Sequence, residues 1–139
     1  MRKPYRLLDH TADLRLSVSA ATYPELLRRA VFALADQLAD AASVQKRSSR
    51  KIRIEEGAKD LLLVRLLQEC LFRFDARRFL VRDLSKIRVT PQGLEAILWG
   101  ETFSARRHRP KSEIKAVTMH GLKVKRKARL WTAEIVLDV

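Results

Sequence analysis

Two carboxylates and an imidazole fall within five residues near the start of the chain, Asp9-His10-Thr11-Ala12-Asp13. A further aspartate stands second from the other end, in Leu137-Asp138-Val139. Carboxylates are hard oxygen donors and suit Ca2+ or Mg2+ better than zinc. If the segments carrying the two ends are sheet neighbours, Asp9, Asp13 and Asp138 converge, and a terminal carboxylate on Val139 adds oxygen if the native chain ends there. A second reading stays open at this point, in which Asp9 and Asp13 satisfy backbone donors of their own turn. Other chemistries lack their residues. The sequence holds no phosphate loop, dinucleotide fingerprint, nucleophile elbow or paired-histidine zinc motif. His10, His108 and His120 are far apart, and a single cysteine cannot build a closed zinc site. Cys70 lies on an apolar helical stripe and reads as a packed thiol, without a histidine beside it to activate it.

The elements that must position these residues are marked by periodicity. Tyr5 to Leu8 and the alternating Leu14 to Ala20 read as strands flanking the acidic turn. Thr22-Tyr23-Pro24-Glu25 opens a helix, with Thr22 as N-cap, Glu25 three residues on and Pro24 in the first turn. Leu27, Ala30, Val31, Leu34 and Leu38 then recur at helical spacing to about Asp40, leaving Arg28, Arg29 and Asp36 on other faces. Ala41 to Ser49 is a polar, basic loop and Arg50 to Glu55 a strand. Asp60 to Phe74 is a second, strongly apolar helix. Strands follow at Phe79 to Val81, Lys86 to Thr90, Leu94 to Phe103, Glu113 to His120, Leu122 to Lys127 and Leu130 to Leu137. Pro91-Gln92-Gly93 turns a hairpin, Ser104 to Ser112 is a basic loop, and Gly121 breaks a strand. The sum is an α+β domain, two helices packed on a largely antiparallel or mixed β-sheet of roughly seven or eight strands. Glu113 and Lys115, two apart on a predicted strand, share a face. They could pair with each other or with Glu101, or form a docking patch.

At 139 residues, 47% apolar and 32% charged, the chain is a single folded domain over 1–139. One cysteine and the absence of a bilayer-length apolar run point to a soluble, cytoplasmic protein with no membrane partner. The formal net charge is +13. Such an excess attracts RNA, DNA or an acidic protein surface, or it simply keeps an arginine-rich chain in solution. No zinc knuckle or aromatic-interleaved basic motif accompanies it, which argues against sequence-specific reading.

Leu8 to Asp13, Leu61-Leu62-Leu63, Leu71-Phe72-Arg73-Phe74-Asp75, Trp99-Gly100-Glu101, Glu113-Ile114-Lys115-Ala116-Val117-Thr118-Met119-His120 and Asp138-Val139 follow in one order. In that order they resemble the archease family over essentially the full length. The resemblance implies an accessory protein and no catalytic residue. Archeases assist the RtcB-type RNA ligase of tRNA splicing and RNA repair. That enzyme joins 2′,3′-cyclic phosphate or 3′-phosphate ends to a 5′-hydroxyl through a guanylylated histidine, and archease promotes the guanylylation and repeated turnover. The resemblance also implies a divalent metal ion, typically Ca2+ with Mg2+ or Mn2+ as alternatives, on Asp13 and Asp138 with Val139 sharing it. Asp9, His10, Glu113, Lys115 and His120 match positions that line the same end as supporting or partner-docking residues. The chain departs from the pattern in its basic charge, in Arg106, Arg107, Arg109 and Lys111 before Glu113, and in Met119 where tyrosine is common. Those departures bear on docking and allow direct contact with RNA through a basic surface. The alternatives are a general chaperone of a tRNA-modifying enzyme such as a methyltransferase, or a stand-alone metal-dependent phosphoesterase.

Overall fold

The computed structural model describes residues 3–8 and 13–139, with 120 and 121 by backbone alone. In chain order the elements are β1 (Tyr5–Leu8), β2 (Leu14–Ala20), α1 (Tyr23–Leu38), β3 (Ser48–Glu55), α2 (Lys59–Arg77), β4 (Phe79–Thr90), β5 (Gly93–Thr102), a four-residue turn of helix α3 (Ala105–His108), β6 (Ala116–Lys127) and β7 (Leu130–Asp138). The α+β class expected from the periodicity holds. The single sheet does not: β1-β2-β7-β6 and β3-β5-β4 form separate sheets, and every described pairing is antiparallel.

The helices explain why there are two sheets. α1 packs on β2 and β4, and α2 on β6 and β4, so the helix pair is covered by both sheets. A helix buried from two sides has no broad solvent face. Tyr23, Leu26, Leu27, Ala30, Val31, Ala33, Leu34, Ala35, Asp36, Gln37 and Leu38 of α1 are all buried. Asp36 is therefore not on an outer face; only 3% of it is exposed. The predicted cap of α1 forms, with the Glu25 N–H donating to Thr22 Oγ1 at 3.2 Å. On α2, Leu62, Leu63, Val64, Leu66, Leu67, Cys70 and Leu71 are buried. Burial pushes the Cys70 thiol up to about 12, which fits an inert packed side chain. α2 ends where Arg78 takes the left-handed conformation with φ 54°.

Three strand boundaries differ from the sequence pattern. Phe79 to Thr90 is one strand, not two, because register shifts after Val81 and Ser85 absorb the irregular middle, where Lys86 has φ 47°. The β6 strand runs through Gly121, with its irregularity taken up between Thr118 and Lys123. It starts at Ala116, so Glu113 and Lys115 lie ahead of it. Gly100 marks a close approach of β4 and β5, since a Cβ there would collide with the Leu80 carbonyl.

Candidate functional site

The β2 and β7 strands pair with Leu14 opposite Leu137. Asp13 lies one residue before Leu14 and Asp138 one residue after Leu137, so the two aspartates occupy adjacent positions at one end of the sheet. Strand neighbours at a shared position stand about 5 Å apart at Cα. On the other side of Asp138 is Ala116 of β6, and the Lys115 N–H donates to the Asp138 carbonyl at 2.7 Å. Leu16, Val18 and Ala20 are buried on the helix side of β2, as are Ala133, Ile135 and Leu137 of β7. The alternation of a strand puts Asp13 and Asp138 on the opposite, helix-free side. Asp138 is exposed, and 41% of Val139 is open beside it.

In donor type this end fits a hard divalent cation: two side-chain carboxylates on rigid strand ends, with oxygens of Val139 adjoining. The fit is partial, because no three His, Cys, Asp or Glu side chains cluster for a metal among the described residues. Arg15, two residues along from Asp13 on the same side, keeps its Nε buried without a hydrogen-bond partner. A guanidinium there offsets part of the carboxylate charge. Of the expected supporting residues, Asp9 and His10 lie outside the described residues, as does the His120 side chain. Glu113 and Lys115 are exposed and flank Ile114, which is 4% exposed. They do not share a strand face, since that segment is not a strand, and Glu101 is engaged elsewhere.

The segment that carries Glu113 and Lys115 to the tip is anchored by two buried carboxylates that the periodicity did not single out. Asp36 Oδ2 accepts from Tyr5 Oη at 2.6 Å and lies 3.0 Å from Lys3 Nζ. Its Oδ1 accepts from the Ala41 N–H at 3.1 Å and pairs with Lys111 Nζ at 3.3 Å. Burial raises this carboxyl, but Tyr5, the Ala41 N–H, Lys3 and Lys111 together hold it below the usual range. The Lys111 and Ser112 N–H groups then donate to the open carbonyls of Leu38 and Gln37 at the end of α1, both at 3.0 Å.

Glu101 forms the second anchor. Oε2 accepts from the Gln45 N–H at 2.6 Å and lies 3.0 Å from His108 Nε2, while Oε1 meets Arg107 and, at 3.4 Å, Arg47. The Ser104 N–H donates to His108 Nδ1 at 2.9 Å, which leaves the ring proton on Nε2, facing Glu101. Burial would raise the Glu101 carboxyl, yet the Gln45 N–H, His108 and Arg107 hold it at about 2. One signal in the sequence could have located this anchor. Glu101 sits seven residues before His108 and six before Arg107, just past a glycine that forces close strand contact.

The architecture and the strand ends define a small α+β protein of two antiparallel sheets around a helix pair, with Asp13 and Asp138 side by side at one end of a sheet. Comparison with known proteins gives that class its family. Residues 5–139 match the archease protein family (MTH1598/TM1083), and the chain belongs to it. It is 32% identical to protein archease of Methanopyrus kandleri over 98% of this chain and 99% of the relative. With protein archease of Pyrococcus abyssi it shares 30% over 99% of each. The solution structure of Methanobacterium thermoautotrophicum protein 1598 matches with a TM-score of 0.83 at 26% identity, covering 99% of this chain and all of that one. A Thermotoga maritima crystal structure, described as an archease and possible chaperone, shares the fold with a TM-score of 0.66 at 22% identity. No helix among the described residues is long and apolar enough to cross a membrane.

Proposed function

We propose that this chain is an accessory protein of an RtcB-type RNA ligase and promotes guanylylation of the ligase through repeated turnovers. The observation that carries this reading is the placement of Asp13 and Asp138 at one strand end. They lie on a face free of helices, beside an exposed Val139. Asp138 and Val139, exposed at the rim beside the half-buried Asp13, are suited to enter another protein's site more than to enclose a substrate of their own. In this reading Asp13 and Asp138, with Val139, hold a divalent cation, and Glu113 and Lys115 border the contact with the ligase. The cation, when bound, supplies positive charge for organising nucleotide phosphates. Asp9, His10 and His120 keep their proposed supporting roles on motif position alone.

Guanylylation of the cognate ligase, followed over many turnovers with and without this protein, tests the reading. Stimulation only in its presence supports it. Equal rates, with the protein instead recovered on a tRNA methyltransferase, would replace it with the general chaperone reading that the Thermotoga description also suits.

A further inference from the structure

The cations of the two basic loops are largely committed to the frame. Lys46 pairs with Asp83, Arg47 and Arg107 with Glu101, and Lys111 with Asp36. The β6–β7 hairpin is different. On β6, Lys123, Lys125 and Lys127 alternate with Val124, which packs on the core, and with Arg126, which lies over Trp131. The three lysines therefore share the helix-free face, where Lys123 stands opposite Glu134 and Lys125 opposite Thr132. All three are exposed, as is Arg129 in the connecting turn. Among the described residues none of the four is in an ion pair. Glu134 is the one acid set among them. A shallow groove of about 250 Å³ runs between Ser17, Lys123, Lys125, Thr132 and Glu134.

We propose that this face, through Lys123, Lys125 and Lys127, holds the sugar-phosphate backbone of single-stranded RNA without reading its sequence. Alternate residues on a strand repeat every ~6.7 Å, which is commensurate with successive phosphates of an extended chain. Lysine ammoniums are point charges suited to phosphate, and no aromatic ring stands among them for bases to stack on. The face is continuous with the Asp13–Asp138 end, since β2, β7 and β6 carry both. A strand lying on it would lead toward that tip. The choice of RNA rests on the ligase reading; the phosphate contacts do not.

The test is binding of a labelled oligouridine to the full chain by fluorescence anisotropy at several salt concentrations. Single strands lose affinity with a slope of about −0.7 per phosphate contact, so three to four contacts predict a loss of about 20- to 50-fold from 50 to 200 mM salt. The triple variant Lys123→Gln, Lys125→Gln, Lys127→Gln should cut that loss to about threefold or less, and the triple Lys→Arg variant should restore it. Oligodeoxyuridine should bind with the same slope. An unchanged slope in the glutamine variant overturns the proposal. So does transfer of the effect to Lys51→Gln, Arg53→Gln on the other sheet, or tighter capture of polyglutamate than of RNA. Ligase guanylylation without RNA, run beside it, separates the two readings. Stimulation by the glutamine variant with RNA binding lost upholds both, and RNA binding with no ligase stimulated leaves only this face.

Discussion

Four carboxylates of this chain fall into two pairs that differ in setting more than in chemistry. Asp36 and Glu101, 3% and 4% exposed, are each surrounded by a backbone N–H and two or more basic or hydroxyl groups. Asp13 and Asp138 stand where β2 and β7 end, with Asp138 open to solvent. A buried carboxylate without such partners would cost several kcal/mol, so the partners of the first set are what make its burial tolerable. Together they fasten the segment from Ala105 to Lys115 to the end of α1 and to β5. In the second set the Asp138 side chain is turned to solvent, where a partner can reach it.

Substitutions should expose that contrast. Glu101→Ala strands the Gln45 N–H, His108 and Arg107 beside a cavity, and should cost about 3–5 kcal/mol in urea unfolding. Asp36→Ala should follow in the same direction. Asp138→Ala should stay within about 0.5 kcal/mol of wild type, as exposed substitutions do. A large destabilisation by Asp138→Ala with none by Glu101→Ala would erase the distinction.

Acid gives a second, smaller separation. Glu101 sits at about 2 against an ordinary 4.5, so its folded carboxyl binds a proton less readily than its unfolded one. The stability this confers is complete above pH 4.5 and lost as pH falls toward 2. Asp36, also lowered, adds loss in the same direction below its ordinary 3.8. Melting temperature should therefore drop steeply in that window, and Glu101→Gln should flatten part of the slope.

The proposed cation site gives the test for the other set. Ca2+ at one hundred times its Kd should stabilise the wild-type protein by about 2.7 kcal/mol. Asp13→Asn and Asp138→Asn should each diminish that gain, read as a shift in melting temperature, whereas Glu101→Gln should keep it. A small effect is expected at the rim of the frame as well. Arg28→Ala breaks a half-exposed pair with Asp83 at 2.7 Å and should cost under about 1 kcal/mol.

How much of this was legible in the sequence differs between the two sets. The α1 helix declared itself because its signals are local: a cap at Thr22, Pro24 in the first turn and an apolar stripe. The convergence of Asp13 and Asp138 was legible because the strands that carry them alternate at the two ends of the chain, and β2 does pair with β7. Asp36 was not, because its partners Tyr5 and Lys111 lie 31 and 75 residues away and only the fold brings them in. Glu113-Ile114-Lys115 mimicked a strand because Ile114 is buried between two exposed neighbours. The N–H groups just before it are spent on α1 carbonyls instead of a sheet. The second sheet was hidden for a similar reason, since alternation reports one buried face and not which strands share it.

In the proposed function the strand-end carboxylates act on a partner while the buried pair holds the frame. Asp138→Asn, which keeps shape and removes one charge, tests it most directly in multiple-turnover guanylylation of the cognate ligase. The variant should melt like wild type and stimulate the ligase at least tenfold less. Full stimulation by that variant would contradict it.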